Sequence, residues 1–149
     1  MPEENPQSTA SIAGHPIHPM LVPFPIACFI GTLVTDIAYA KSLNMMWATF
    51  SVWLLTAGLV MAGLAAVAGI VDFIGSPRIR NLKAAWIHGI GNVLAVLLSL
   101  ANAFVHSRDG YTAVVPAGIT LSAIVVLILL VTGWMGWEMV YRHRVGVAS

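Results

Sequence analysis

The most informative deficit of this sequence is charge. Only 9% of its 149 residues are Asp, Glu, Lys or Arg, whereas these residues make up about a quarter of an average soluble domain. The few charges are also bunched, because residues 42–71, 84–107 and 110–137 carry none and residues 5–40 carry one. Each gap exceeds the ~20 apolar residues that cross the ~30 Å hydrocarbon core of a bilayer. An ordinary soluble domain is therefore excluded.

Other shortages exclude further classes of protein. The single cysteine, Cys28, rules out an intrachain disulfide and the C-x-x-C-H attachment of a c-type haem. A net charge of +1 provides no basic surface, so nucleic acid is not an expected partner. The sequence has no G-x-S-x-G motif and no glycine-rich phosphate loop, which are typical of hydrolases and nucleotide enzymes. We therefore expect an electron carrier or binding protein more than an enzyme.

The long apolar stretches predict an all-α fold, an integral membrane bundle of four transmembrane helices in a lipid bilayer. The connections are so short that consecutive helices must run antiparallel, in an up-down topology. The first residues are acidic and lack the basic region of a secretory signal, so we expect a flexible tail and insertion through the helices themselves. The expected ranges are one domain over residues 1–149, a tail over 1–13, and spans at about 20–40, 46–74, 84–106 and 112–141.

The basic residues predict an orientation, because cytoplasmic loops retain the excess of Lys and Arg. Five of them fall on the side of the bundle that holds both termini, and two fall on the other side. We therefore expect both termini in the cytoplasm of a multi-pass inner-membrane protein. The five are Arg78, Arg80, Lys83, Arg142 and Arg144, and the two are Lys41 and Arg108.

Polar side chains inside the spans are the first candidates for function, because they are expensive to bury in hydrocarbon. Those of the third span recur at steps of three and four residues, which places them on one helix face. That face is expected to look into the bundle. The stripe contains His88, Asn92, Ala95, Ser99, Asn102 and His106.

Four of the five histidines are expected at one depth, near the cytoplasmic interface. His15, His18, His88 and His143 converge there with Asp72 and Glu138 in the antiparallel topology. The opposite end gathers only Asp36, Asn102 and His106, and there we expect His106 to be structural. Histidines can also cap or cross-link helices, and the two acidic residues of the histidine-rich end can pair with the loop arginines.

The segment GHPIHP places each of two histidines directly before a proline, which favours extended backbone. A step of three residues in a polyproline helix returns to the same face after ~9 Å. The rings of His15 and His18 are then too far apart to share one metal ion unless the chain turns. We expect His18, nearer the bilayer, to be a ligand, and His15 to support it or to contact a haem propionate.

Two chemistries fit this end of the bundle. A b-type haem takes axial histidines and cationic partners for its propionates, whereas zinc or non-haem iron takes three or four histidine and carboxylate ligands. The sequence leaves both open. The haem candidates are His15, His18, His88, His143, Arg78, Arg142 and Arg144, and the metal candidates are His18, His88, His143, Asp72 and Glu138.

A third alternative is a structural subunit of a larger membrane redox complex, held by small-residue helix faces. For the cytochrome reading, the expected partners are a redox protein or a quinone. A transporter built from four helices would require a homodimer. These classes differ in what co-purifies with the protein: haem, metal or a larger complex.

The run GHPIHPMLVPFPIACFIGTLVTD at residues 14–36 resembles the opening of the bacterial membrane proteins grouped as domain of unknown function 2231. The likeness continues to GWMGWEMVYRHRVGV at residues 133–147. It implies a four-helix bacterial membrane protein. Members of that family are joined to Rieske-type or cytochrome c-type modules, which implies redox work. By this analogy His15, His18, His88 and His143 match the family's histidine pattern, and Glu138 and Tyr141 match its closing motif.

Overall fold

The computed structural model describes residues 5–108 and 114–147. Four helices in it are long and apolar enough to cross a membrane, which confirms the predicted all-α, four-helix fold. The last of them begins at Ala117, later than the expected residue 112. In chain order the elements are β1 (Ser11–Ile12), β2 (His15–Pro16), α1 (Ile17–Leu21), α2 (Pro23–Ser42), α3 (Met45–Gly75), α4 (Pro77–Arg80), α5 (Lys83–His106) and α6 (Ala117–Tyr141).

The four long helices form a ring in which each packs against two neighbours. Helix α2 contacts α3 and α6, and α5 contacts the same two helices. Because consecutive helices are antiparallel, the bundle has a terminal end and a hairpin end. The terminal end holds residues 5–16, α4 and residues 142–147, whereas the hairpin end holds the connections that follow Ser42 and His106.

Local sequence sets the ends of the helices. Pro23 occupies the first turn of α2, where its missing N–H costs no hydrogen bond. Leu43 closes the same helix in the left-handed region, with φ 55°. The Asn44 side chain then accepts a hydrogen bond of 3.0 Å from the backbone N–H of Met46, which caps the start of α3. The short connection between α2 and α3 is therefore explained by the left-handed conformation of Leu43 and the capping side chain of Asn44.

The middle of the bundle is apolar and closely packed. At Gly58 of α3 an added Cβ would lie 2.7 Å from the ring of Phe29, so the glycine permits close approach of α2 and α3. This layer separates the polar groups of the terminal end from those of the hairpin end. Its buried members are Phe29, Leu55, Ala62, Ala95, Val125 and Leu129.

The HPIHP segment is a turn followed by a helix. Ala13 and Gly14 have φ values of 50° and 79° and reverse the chain between β1 and β2. His15 is exposed on β2, but His18 lies in α1, so the expectation of extended backbone at His18 is wrong. Pro19 falls in the first turn of that helix, where proline is tolerated. The turn directs the two histidines into different surroundings.

The segment expected as a flexible tail makes specific contacts wherever it is described. The Asp72 carboxylate accepts hydrogen bonds from Ser8 Oγ at 2.8 Å and from Ala10 N at 2.7 Å. The backbone N–H of Gly146 donates to a carbonyl of the same segment. Residues 5–13 therefore fold back over the terminal end, and the first four residues lie outside the described part of the chain.

Candidate functional site

A cavity of about 600 Å³ opens at the terminal end, between α1 and α2 on one side and α6 on the other. Pockets of 300–1,000 Å³ are the size that holds small ligands and cofactors. The wall is mainly apolar, and two imidazoles, those of His18 and His88, project into it. Its apolar wall includes Ile26, Ala27, Ile30, Gly133, Gly136 and Trp137.

His18 is oriented by a backbone carbonyl of α3. Its Nδ1 lies 2.7 Å from the carbonyl oxygen of Ala65, and a carbonyl can only accept, so Nδ1–H donates. In the neutral ring, Nε2 keeps a free lone pair. Gly69 makes room for the ring, because a Cβ there would lie 2.9 Å from His18 Nδ1.

His88 is oriented in the same way from the opposite side of the bundle. Its Nδ1 donates to the carbonyl oxygen of Thr132 in α6, at 2.8 Å. Gly136 lies against this ring, and a Cβ there would be 3.3 Å from His88 Cε1. The Asn92 side chain then donates to the His88 carbonyl at 2.7 Å. The second imidazole is thus also fixed, with Nε2 as its free nitrogen.

The two rings contact each other. Their centroids are 5.9 Å apart and their planes are nearly perpendicular, at 85°. A metal ion about 2 Å from a nitrogen of each ring would place the centroids roughly 6 Å apart. Metal-bound histidines generally donate their other N–H to a carbonyl or carboxylate, which is what both rings do here. The same bonds also cross-link helices, whatever the cavity contains.

Two other predicted histidines lie apart from this pair. His15 is exposed, and the His143 side chain is 36% exposed. His143 Nε2 lies 4.0 Å from Glu138, whose carboxylate accepts from Arg142 at 3.0 Å. Glu138 and His143 therefore belong to a polar cluster at the end of α6, and neither lines the cavity.

The remaining predicted residues divide between the cavity and the surface. Asp72 reaches the cavity wall, but its Oδ1 accepts from the N-terminal segment. Arg78 lines a separate cleft, and Arg142 and Arg144 are exposed. Within residues 5–108 and 114–147, no Lys or Arg lines the cavity, and no three His, Cys, Asp or Glu side chains come close enough to hold a metal ion.

A second polar cluster lies at the hairpin end, where sequence reasoning expected little. We call it the polar hub. Asp36 at its centre is fully buried and accepts from Ser51 and Ser122 hydroxyls, each at 2.6 Å. His106 Nε2 lies 2.8 Å from the same carboxylate, and Asn102 donates to Ser122 at 2.8 Å. All four long helices contribute a side chain.

The hydrogen bonds of the hub indicate how many protons the Asp36–His106 pair holds. His106 Nδ1 lies 3.0 Å from the carbonyl oxygen of Asn102, so Nδ1 must be the donor. The contact between Nε2 and Asp36 Oδ1 then holds one proton, on either atom. The pair is neutral overall in both arrangements, which suits a site with no access to water. Both nitrogens of His106 are therefore engaged.

The hub is enclosed on both sides. Tyr39, Ala48 and Val114 cover it at the hairpin end. Toward the cavity, the stripe on α5 is interrupted by Ala95, which is 1% exposed within the apolar middle layer. Sequence reasoning identified the stripe on α5 but missed Ser51 and Ser122, because serine is common in membrane helices and its spacing gave no signal.

No curated protein and no solved structure matches the chain. A family model described as "predicted membrane protein (DUF2231)" matches residues 14–149, the region that contains the four long helices, both cavity histidines and the hub. The resemblance found in the HPIHP segment and the closing motif therefore extends over the whole bundle. The chain belongs to the DUF2231 family of membrane proteins.

Proposed function

We propose that the protein binds a b-type haem in the cavity at the terminal end and serves as an electron carrier in the membrane. The observation that carries this proposal is the pair of fixed imidazoles. His18 and His88 each use Nδ1 on a backbone carbonyl, at 2.7 and 2.8 Å, and each keeps Nε2 for a ligand. Their separation of 5.9 Å is compatible with one shared iron.

The number of ligands favours haem over a bare metal ion. A porphyrin supplies four nitrogens to its iron, so the protein needs to contribute only two axial ligands. A structural zinc site needs four protein ligands and a catalytic one needs three. Within the described ranges the chain brings together two imidazoles and no third metal-binding side chain. The zinc and non-haem iron alternatives would require ligands from another molecule.

The chain's own residues would hold and insulate such a group. Ala65 and Thr132 carbonyls orient the two imidazoles, and Gly69 and Gly136 leave space for the rings. When bound, haem iron supplies one-electron chemistry between its ferric and ferrous states. The predicted propionate partners Arg78, Arg142 and Arg144 do not line the cavity, so this part of the haem hypothesis lacks support from the geometry.

The electron partner and the orientation complete the proposal. The excess of Lys and Arg at the terminal end supports a cytoplasmic location for that end, in the bacterial inner membrane. A quinol in the bilayer or a redox protein would be the electron donor.

A reporter enzyme active only outside the cytoplasm tests the orientation. It should be active when fused after Arg108, at the hairpin end, and inactive when fused after Val147.

The decisive experiment is an absorption spectrum of protein purified in detergent from cells with ample haem supply. A Soret band with sharp reduced α and β bands is expected, with one haem per chain. His18→Ala and His88→Ala should each abolish the six-coordinate spectrum. His15→Ala and His143→Ala are matched controls, because both histidines were sequence candidates but lie outside the cavity. Their spectra should be unchanged.

Other outcomes of these measurements would favour one of the alternative functions. Stoichiometric zinc or iron without porphyrin absorbance would favour the metal site. Co-purification with a larger complex, without haem or metal, would favour a structural subunit. An unchanged haem spectrum in His88→Ala would remove His88 from the site, and unchanged spectra in both single variants would refute the assignment of the cavity.

A quinone is the second candidate ligand, and the cavity wall favours it in one respect. Haem carries two anionic propionates, yet no Lys or Arg of the described ranges lines the cavity. A quinol is uncharged, and its hydroxyls could donate to the free Nε2 atoms of His18 and His88. Solvent extraction of the purified protein followed by chromatography detects a bound quinone. Quinone at one per chain, lost in His18→Ala, would replace the haem proposal.

A further inference from the structure

The described N-terminal residues form a strap across the terminal end of the cavity. We use this name for residues 5–16. Ser8 and Pro16 of the strap contribute to the cavity wall, together with Asp72 of α3 and Gly146 near the C-terminus. The strap therefore forms the wall of the cavity at the terminal end of the bundle.

Hydrogen bonds hold the strap at two places. Asp72 Oδ1 accepts from Ser8 Oγ, at 2.8 Å, and from Ala10 N, at 2.7 Å. Near the C-terminus, Gly146 N donates to the carbonyl of Pro6 at 2.8 Å. Asp72 also lies in the last turn of α3, where the helix dipole disfavours a negative charge. The donors of the strap compensate for that position, so the carboxylate and the strap stabilise each other.

Two glycines show that the strap is built into the fold. A Cβ at Gly75 would lie 2.5 Å from Thr9 Oγ1, so α3 can end against the strap only without a side chain there. Gly146 has φ 75°, and a Cβ on it would lie 3.0 Å from Pro16. Other residues at these two positions would push the strap away from the bundle.

Among residues 5–108 and 114–147, no segment covers the cavity on the side between α2 and α6. Its edge is formed by the exposed residues Ala27 and Ile30 of α2 and Trp137 of α6, with Ile30 and Trp137 40% and 54% exposed. These positions lie within the candidate membrane spans, so the edge faces the hydrocarbon. An apolar molecule dissolved in the bilayer can reach the cavity without crossing the strap.

We propose that the strap closes the cavity to water and that its ligand exchanges laterally with the bilayer, between α2 and α6. Asp72 is the latch that holds the strap. The ligand class is then a membrane-dissolved amphiphile, a description that fits haem and a quinone alike. The inference concerns the cavity of the proposed function, but it does not depend on which of the two ligands is bound.

A spin label placed in the cavity tests the two access routes directly. Val140→Cys, in a Cys28→Ala background, carries the nitroxide on the half-buried cavity wall, and the full-length protein is reconstituted in vesicles without added haem. Collisions with oxygen, which concentrates in the bilayer, should be frequent. Collisions with a water-soluble nickel chelate should be rare. Asp72→Ala removes the acceptor of three hydrogen bonds, from Ser8, Thr9 and Ala10, and should raise the nickel collision rate at least about tenfold.

The matched control is Glu138→Ala, which removes a carboxylate at the same end that pairs with Arg142 outside the cavity. It should leave both collision rates unchanged. Amide hydrogen exchange of the strap provides a second measurement, and Ala10 should lose protection in Asp72→Ala while α5 keeps it. A nickel rate that is already high with the strap intact, or is unaltered in Asp72→Ala despite faster exchange at Ala10, would overturn the proposal. The haem spectra above are independent of this result.

Discussion

Truncation of Asp36 to alanine should cost the bundle about 3 kcal/mol of unfolding free energy. The carboxyl group makes three side-chain hydrogen bonds, accepting from Ser51 and Ser122 at 2.6 Å and sharing one proton with His106 at 2.8 Å. Alanine removes the partner of Ser122 and His106 and leaves Ser51 only its contact with Thr35, in a region that is fully buried. Asp36, Ser51 and His106 are 0% exposed and Ser122 is 3% exposed, so the groups that lose Asp36 stay buried.

Two limits bracket this magnitude. Interhelical hydrogen bonds in membrane proteins average about 0.6 kcal/mol each, so three of them sum to about 2 kcal/mol. Removal of one partner from a buried ion pair costs about 3–5 kcal/mol. The Asp36–His106 pair is neutral overall and His106 can become a neutral imidazole, which places the expected cost between these limits. Asp36→Asn should cost less, because an amide nitrogen in the place of Oδ1 can donate to His106 while the amide oxygen in the place of Oδ2 accepts from Ser122.

The assay is reversible unfolding in mixed micelles with increasing SDS, followed by circular dichroism. Thr56→Ala is the control, since Thr56 is exposed and bonds only the Val52 carbonyl of its own turn; it should change stability by less than about 0.5 kcal/mol. A double variant, Asp36→Leu with His106→Leu, removes both partners and should cost less than the sum of the single changes. A cost below about 1 kcal/mol for Asp36→Ala, or additive single changes, would refute the account of the hub.

Three further predictions concern packing and capping. Gly69→Ala should displace His18 and abolish the six-coordinate haem spectrum, whereas Gly63→Ala, where a Cβ meets nothing within 4 Å, should leave it intact. Gly91→Ala should lower SDS resistance by roughly 1–3 kcal/mol, because its Cβ would overlap Thr132 of α6, whereas Gly89→Ala should not. Loss of the Asn44 cap in Asn44→Ala should cost about 1 kcal/mol in the same titration. A Gly69→Ala or Gly91→Ala protein that behaves like its control would contradict the corresponding contact. An Asn44→Ala protein that is as stable as wild type would contradict the cap.

The fold could be predicted from the sequence because each helix that spans a bilayer requires about 20 consecutive apolar residues. The charge-free gaps bound the helices, and the short connections between them leave an antiparallel bundle as the simplest arrangement. The observed helices begin and end within a few residues of the predicted spans, except at Ala117. There Val114 precedes the helix and packs with Tyr39 and Ala48 in a buried cluster. Hydropathy does not show whether Val114 lies within the helix or before it, because valine is apolar in either position.

The candidate site was predictable only in part. The inward stripe of α5 located His88 correctly, since helix periodicity is a reliable guide to the face of a residue. The choice between His15 and His18 depended on a turn at Ala13 and Gly14, which a proline rule does not reveal. His143 was assigned by depth alone, and depth says nothing about the direction in which a side chain points.

The cavity histidines and His106 of the hub differ in the number of ring nitrogens that already have a hydrogen-bond partner. His106 has both nitrogens engaged, one on a carbonyl and one on Asp36, so this ring has no nitrogen left for a ligand. His18 and His88 each have one nitrogen on a backbone carbonyl, and both residues line the cavity. A buried imidazole without a second partner costs stability, and a structural role alone would be served by residues with fewer polar atoms. The second nitrogen of each cavity histidine, more than the number of histidines, is why we propose ligand binding at the terminal end of the bundle.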